Sequence, residues 1–174
     1  MATSAHALDI QGHRGARGLA PENTLAAFAR ALSIGVTTLE LDCAITRDRV
    51  VVVSHDPVLN PDLARTPDGK WLSQPGPRIY EVSYEQLQRY DVGRANPASA
   101  HAKRWPEQEA ADGARIPRLK DVFELARRAG NTSVRFNIET KISPLAPDES
   151  PPPEEFARLL VAEARSEEHT SELQ

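Results

Sequence analysis

Cysteine is almost missing from this chain. Cys43 is its single cysteine among 174 residues, so no internal disulfide can form. It stands in an apolar run beside Asp42, where the expected role is a small buried core residue. Aromatic residues make up only 5%, too few for a base-stacking platform. Positive charge is not in excess either. The net charge of −4 leaves no basic footprint for nucleic acid. No apolar run reaches the ~20 residues that a membrane-spanning helix needs. Met1 to Leu8 offers neither the basic start nor the apolar stretch of a secretory leader. The sequence as written therefore places the chain in the cytoplasm. A mis-called start would leave a periplasmic or secreted location open.

What remains is ordinary for one globular domain, with 40% hydrophobic and 26% charged residues. Against that background one stretch stands out, Gln11-Gly12-His13-Arg14-Gly15-Ala16-Arg17-Gly18-Leu19-Ala20-Pro21-Glu22-Asn23-Thr24. A short apolar entry at Leu8 and Ile10 leads into a histidine and an arginine, then glycines, then a helix start. Downstream follow Glu40-Leu41-Asp42, Ser54-His55-Asp56 and Asn137-Ile138-Glu139-Thr140-Lys141. These histidines, carboxylates, arginine and lysine fall at the ends of expected strands. Together they can bind a divalent cation and a phosphate, and move protons on both sides of it.

The pattern of elements is an α/β one. Leu8 to His13 reads as a first strand. Asn23 or Thr24 caps a helix from Leu25 to about Ile34, in which Leu25, Phe28, Ala29 and Leu32 recur at helical spacing and which Gly35 terminates. Val36 to Ile45 is a β-branched second strand, and strand–helix–strand in this order points to a parallel sheet. A turn over Thr46 to Arg49 then leads to a strand at Val50 to Val53. The link is too short for a parallel crossover, so the pair is an antiparallel hairpin. The expected register sets Ile45 against Val50, Cys43 against Val52 and Glu40 against His55. Residues 56–117 differ in texture, with prolines, both tryptophans, an Asp68-Gly69 turn and a short helix starting near Ser83. They read as a long insertion on the active face. Arg118 to Ala129 returns to helical spacing, Val134 to Ile138 is a further strand, and Glu154 to Ala164 a last helix. The tail from Arg165 to Gln174 matches nothing before it and resembles a translated sequencing adapter, so it is set aside as non-native.

Glu40 and Asp42 are two apart on a strand and share a face. On an inward face their charges are costly and mutually repelling, and a divalent cation relieves both problems. They could instead form a general acid/base pair, but His13 and His55 serve that role better near neutral pH. Glu139 can add a third carboxylate. All-oxygen ligation suits Mg²⁺ or Ca²⁺. Arg14 can fork onto phosphate oxygens. Lys141 shares a face with Glu139 and can offset transition-state charge, a role compatible with a salt bridge to Glu40 or Glu139. Glu22 and Asn23 are expected to shape the loop and cap the helix. His6, His101 and His169 lie outside any motif.

His13-Arg14-Gly15, Pro21-Glu22-Asn23-Thr24, Glu40-Leu41-Asp42, His55-Asp56 and Glu139-Thr140-Lys141 follow one another in the order of the glycerophosphodiester phosphodiesterase family, which residues 8–164 resemble. The resemblance implies a TIM (β/α)8 barrel with an insertion after its second strand. Such barrels take ~250 residues, so 174 residues would supply only the N-terminal part. An open part of this kind is expected to expose apolar strand faces and an unpaired edge. The resemblance also implies His13 and His55 as the catalytic acid/base pair, Glu40, Asp42 and Glu139 as metal ligands, and Arg14 and Lys141 on the phosphate. The implied reaction is hydrolysis of a small-molecule glycerophosphodiester to glycerol 3-phosphate and an alcohol. Attack by water and attack by the glycerol hydroxyl through a cyclic phosphate both remain open. A related phospholipase acting on lysophospholipid or sphingolipid head groups would share the same residues, and an inactive fragment would retain them.

Overall fold

The computed structural model describes residues 8–171, with side chains through Ser166. The leader reading at Met1 to Leu8 therefore falls almost wholly outside the described residues, as do the side chain of His169 and the last residues of the tail.

Strand β1 (Gln11–Gly12) is followed by α1 (Leu25–Ile34), β2 (Thr38–Ile45) and β3 (Val51–Val53). The insertion holds two short helices, α2 (Tyr84–Leu87) and α3 (Ala100–Arg104). Then come α4 (Leu119–Arg128), β4 (Arg135–Thr140) and α5 (Pro153–Ser171). Helix α1 begins where Thr24 Oγ accepts from the Ala27 amide at 3.2 Å and ends at Gly35, whose φ of 86° only glycine adopts cheaply. Of the two cap candidates, Thr24 is the cap.

Central strand β2 pairs in parallel with β1 on one edge and with β4 on the other. Its far end pairs antiparallel with β3. This is the parallel strand–helix core of an incomplete barrel. Alternation along β2 sorts its side chains cleanly. Leu39, Leu41, Cys43 and Ile45 face the helices and join Phe28, Leu119, Val122 and Phe156 in the main core. Thr38, Glu40, Asp42 and Ala44 take the opposite face. Cys43 is buried as expected, and burial raises its thiol pKa far above the ordinary range. A second core of Ala44, Val52, Leu59, Ile79, Leu87 and Ile116 seats the insertion on the outer end of the hairpin.

The hairpin corrects the expected register by one residue. Ile45 pairs with Val51 and Cys43 with Val53. The cause is the turn. Thr46 pairs with Val50 through an amide–carbonyl bond of 3.1 Å, leaving a three-residue loop with Arg49 at φ 65°. His55 is therefore not opposite Glu40 on the ladder. Strand β3 ends at Val53, the Ser54 amide makes the last rung to Asp42 O at 2.9 Å, and a bend follows. That bend, not strand alternation, brings His55 to the mouth of the sheet.

Other bounds also differ. The first strand shrinks to Gln11–Gly12, with Leu8 and Ile10 exposed. Helix α3, capped by Ser99, was not expected. Helix α5 runs past Ala164 to Ser171, through the stretch set aside as a tail.

Candidate active site

The loop after β1 wraps its backbone around the carboxylates of β2. Arg14 and Asn23 both adopt left-handed conformations, at φ 51° and 55°. The Asn23 amide donates to Arg14 O at 3.0 Å, so the two strained positions are tied together. Each holds one carboxylate. The Arg14 amide donates to Glu40 Oε2 at 2.7 Å, and Asn23 Nδ2 donates to Asp42 Oδ2 at 3.0 Å.

Glu40, Asp42 and Glu139 converge, with one oxygen of each inside a common span of 4.8 Å. Oxygen donors each about 2.0–2.6 Å from one ion lie at most ~5 Å apart, so the three fit around a single divalent cation. The pairing of Asp42 with Glu139 across β2 and β4 sets this convergence. Asp42 is fully buried, and burial raises the Glu40 pKa above the ordinary range although the Arg14 amide opposes it. Carboxylates so placed call for positive charge.

Two side chains supply part of it. Lys141 Nζ lies 2.7 Å from Glu139 Oε1 and 3.2 Å from Asp42 Oδ1. Burial works against its charge, but the Glu139 hydrogen bond and the nearby Asp42 outweigh burial, and its pKa is raised. Arg14 Nε lies 3.4 Å from Asp42 Oδ2, while Nη1 donates to Glu22 Oε1 at 2.7 Å. The guanidinium is thus anchored from behind by a buried glutamate.

The histidines stand on either side. His13 is largely exposed, its Nε2 3.8 Å from Glu40 Oε2. His55 Nδ1 contacts Asp56 Oδ1 at 2.7 Å, and Asn60 Nδ2 donates to Asp56 Oδ2 at 2.6 Å. The His55 hydrogen bond holds the Asp56 carboxyl below its usual range despite partial burial. An aspartate on Nδ1 favours the tautomer with its proton there, and His55 lines a cleft shared with Glu139 and Lys141.

All seven predicted site residues therefore gather around one mouth. Asp56, Asn60 and Glu22 had no role in the sequence reading beyond loop shape or motif membership. Asp56 was legible as the neighbour of His55. The contact of Glu22 with Arg14 depends on how the loop folds, and nothing in the spacing announces it. His101, set aside as lying outside any motif, is nearly buried against Glu22.

Comparison with known proteins places the chain among one group of enzymes. A glycerophosphodiester phosphodiesterase of Caldanaerobacter subterraneus is 34% identical over 132 residues, covering 76% of this chain and 44% of the relative. A human lysophospholipase D is 38% identical over 127 residues, covering 73% of this chain and 35% of that protein. The crystal structure of a candidate glycerophosphoryl diester phosphodiesterase from Silicibacter pomeroyi superposes with a TM-score of 0.86 at 31% identity, over 93% of this chain and 55% of that one. The chain spans less than half the length of both curated relatives. The profile of the Glycerophosphoryl diester phosphodiesterase family matches residues 13–169, and the chain belongs to that family.

Proposed function

We propose that this chain carries the catalytic face of a metal-dependent phosphodiesterase that hydrolyses glycerophosphodiesters to glycerol 3-phosphate and an alcohol such as choline or ethanolamine. The observation that carries the reading is the convergence of Glu40, Asp42 and Glu139 within 4.8 Å, flanked by Arg14 and Lys141. Glu40, Asp42 and Glu139 would hold the cation, Mg²⁺ or Ca²⁺ by their oxygen donors. When bound, the cation polarises a phosphoryl oxygen and stabilises developing negative charge. Arg14 and Lys141 orient the remaining phosphoryl oxygens and share that charge. One histidine takes the proton of the attacking nucleophile, either water or the glycerol hydroxyl with water opening the cyclic phosphate afterwards, and the other returns a proton to the departing alkoxide. Asp56 keeps the His55 ring oriented for its part.

A lysophospholipid is the second substrate class, favoured by the similarity to the human lysophospholipase D. No helix among the described residues is long and apolar enough to cross a membrane. Assays of the full chain with glycerophosphocholine and with lysophosphatidylcholine, each with Mg²⁺ and with Ca²⁺, separate the two by their products. Release of glycerol 3-phosphate and choline from glycerophosphocholine that requires the cation and falls by orders of magnitude in His55→Ala, at an unchanged melting temperature, supports the reading, and lysophosphatidic acid marks the second class. Absence of turnover on both substrates, or near-normal turnover in His55→Ala, overturns it.

A further inference from the structure

Behind the phosphate-side arginine lies a buried contact that the reaction scheme leaves unused. The Glu22 side chain is 5% exposed and faces three basic groups. Its Oε1 accepts from Arg14 Nη1 at 2.7 Å. Its Oε2 lies 2.8 Å from Arg17 Nε and 3.8 Å from His101 Nε2. His101 comes from α3, inside the insertion, and its side chain is only 11% exposed. His101 Nε2 is buried with no hydrogen-bond partner, while Glu22 Oε2 has its ion pair with Arg17 and a second lone pair free for a donor. A buried ring nitrogen left unsatisfied beside a carboxylate oxygen is costly. A modest side-chain adjustment would let them satisfy each other. Burial lowers the His101 pKa, with Glu22 pulling the opposite way. The ring is then neutral near pH 7, and with its proton on Nε2 it is a donor matched to a carboxylate.

The surrounding contacts make α3 a rigid support for this pair. The Arg17 guanidinium lies 5.4 Å from the centre of the Trp105 ring, and Arg104 lies 5.3 Å from it. Gln108 Nε2 donates to Arg17 O at 2.8 Å, and the Glu109 amide donates to Leu19 O at 2.9 Å. The insertion is thus stitched to the loop that carries Arg14 and Glu22.

We propose that His101 is a positioning residue for Arg14, acting through Glu22, so that the insertion sets the geometry of the arginine that faces phosphate. The positioning itself follows from the contacts. Its consequence for phosphate rests on the reading of Arg14 given above.

The test is side-chain NMR of the full chain, with Arg14 assigned by comparison with Arg14→Lys. A guanidinium held by a buried carboxylate shows resolved Nη signals because rotation about its Nε–Cζ bond is slow. In His101→Leu, Arg14 rotation should quicken about tenfold or more, while the Trp105 indole resonance stays in place. His101→Gln, which keeps a donor, should restore the slow rotation. Unchanged Arg14 signals in His101→Leu overturn the proposal. So does equal loosening in the Leu and Gln variants, which marks His101 as packing alone. A second arm titrates sn-glycerol 3-phosphate in the presence of Mg²⁺. Weakening by about tenfold in His101→Leu but not in His101→Gln supports the link to phosphate, in the range typical of supporting contacts around a site. If Arg14 loosens and affinity does not change, the positioning role stands and the phosphate reading of Arg14 fails.

Discussion

In the function proposed above, Asp56 is the residue that orients His55. Its carboxylate contacts Nδ1 at 2.7 Å and is itself fixed by Asn60. Asp56→Asn preserves shape but offers an amide where the ring needs an acceptor, and the imidazole then loses its preferred tautomer. Turnover should fall by on the order of 10²-fold or more, with ¹⁵N shifts of His55 showing the tautomer change. Retained turnover with unchanged shifts would refute the orienting role. The same residue sets a pH dependence. A carboxyl held below its usual range contributes stability above the unfolded pKa of ~3.9 and loses it as pH falls through the depressed value. Acid denaturation of Asp56→Asn should therefore be shallower than that of the wild type. Asp56 is about a third exposed, so the difference is modest. Gly15 presents a steric requirement instead. At φ 82°, a β-carbon would sit 2.7 Å from the Ala27 carbonyl carbon and 2.8 Å from its Cβ. Gly15→Ala has no flexible neighbour to displace and should cost about 1–3 kcal/mol or more in urea unfolding. It should also disturb the adjacent Arg14–Glu40 contact.

Among the elements, those set by local chemistry were legible in the sequence and those set by a single backbone angle were not. Helix α1 carries its own cap and stop, Thr24 and Gly35, and its bounds match the expected ones. Strand β2 announces itself by β-branching and by the spacing of Glu40 and Asp42. The β2–β3 hairpin was recognisable as antiparallel, yet its register hangs on Arg49 adopting φ 65°, which no residue type demanded. Helix α3 is only five residues long, too short for periodicity to reveal. Helix α5 was expected, and its anchor is Phe156, fully buried in the main core beside Phe28 and Val122. Phe156→Ala removes the side chain that seats α5 on the sheet and should destabilise the fold by roughly 3–5 kcal/mol. Denaturant unfolding measures it. A loss below 1 kcal/mol would mean that α5 is not integral to the core.

For the molecule as a whole, the open sheet is where sequence and structure part most instructively. The short chain predicted exposed apolar strand faces. Instead, the helix-facing side is covered by α1, α4 and α5, and the other side of β4 is polar, with Arg135, Asn137 and Glu139 exposed. Arg135 pairs with Asp9 at 2.6 Å and Asn137 with Gln11 at 3.1 Å, so this face satisfies itself with charge and amide groups. Apolar exposure near β1 is limited to single residues such as Leu8, Ile10 and Ile34. The unpaired edge, by contrast, is present. The amides of Arg135 and Lys141 donate to Thr37 O and Cys43 O on β2, so odd-numbered amides of β4 point inward and even-numbered ones outward. Among the described residues no strand covers that outer edge. Hydrogen exchange should therefore alternate along β4, with Phe136, Ile138 and Thr140 fast and Asn137, Glu139 and Lys141 slow. Strand β2, paired with β4 along Thr38–Cys43 and with β1 and β3 toward its two ends, should be the slowest segment of the sheet. Uniform protection along β4 would contradict an open edge. It would mean that a second chain covers this edge in solution, and light scattering at the same concentration would then show a mass above the monomer.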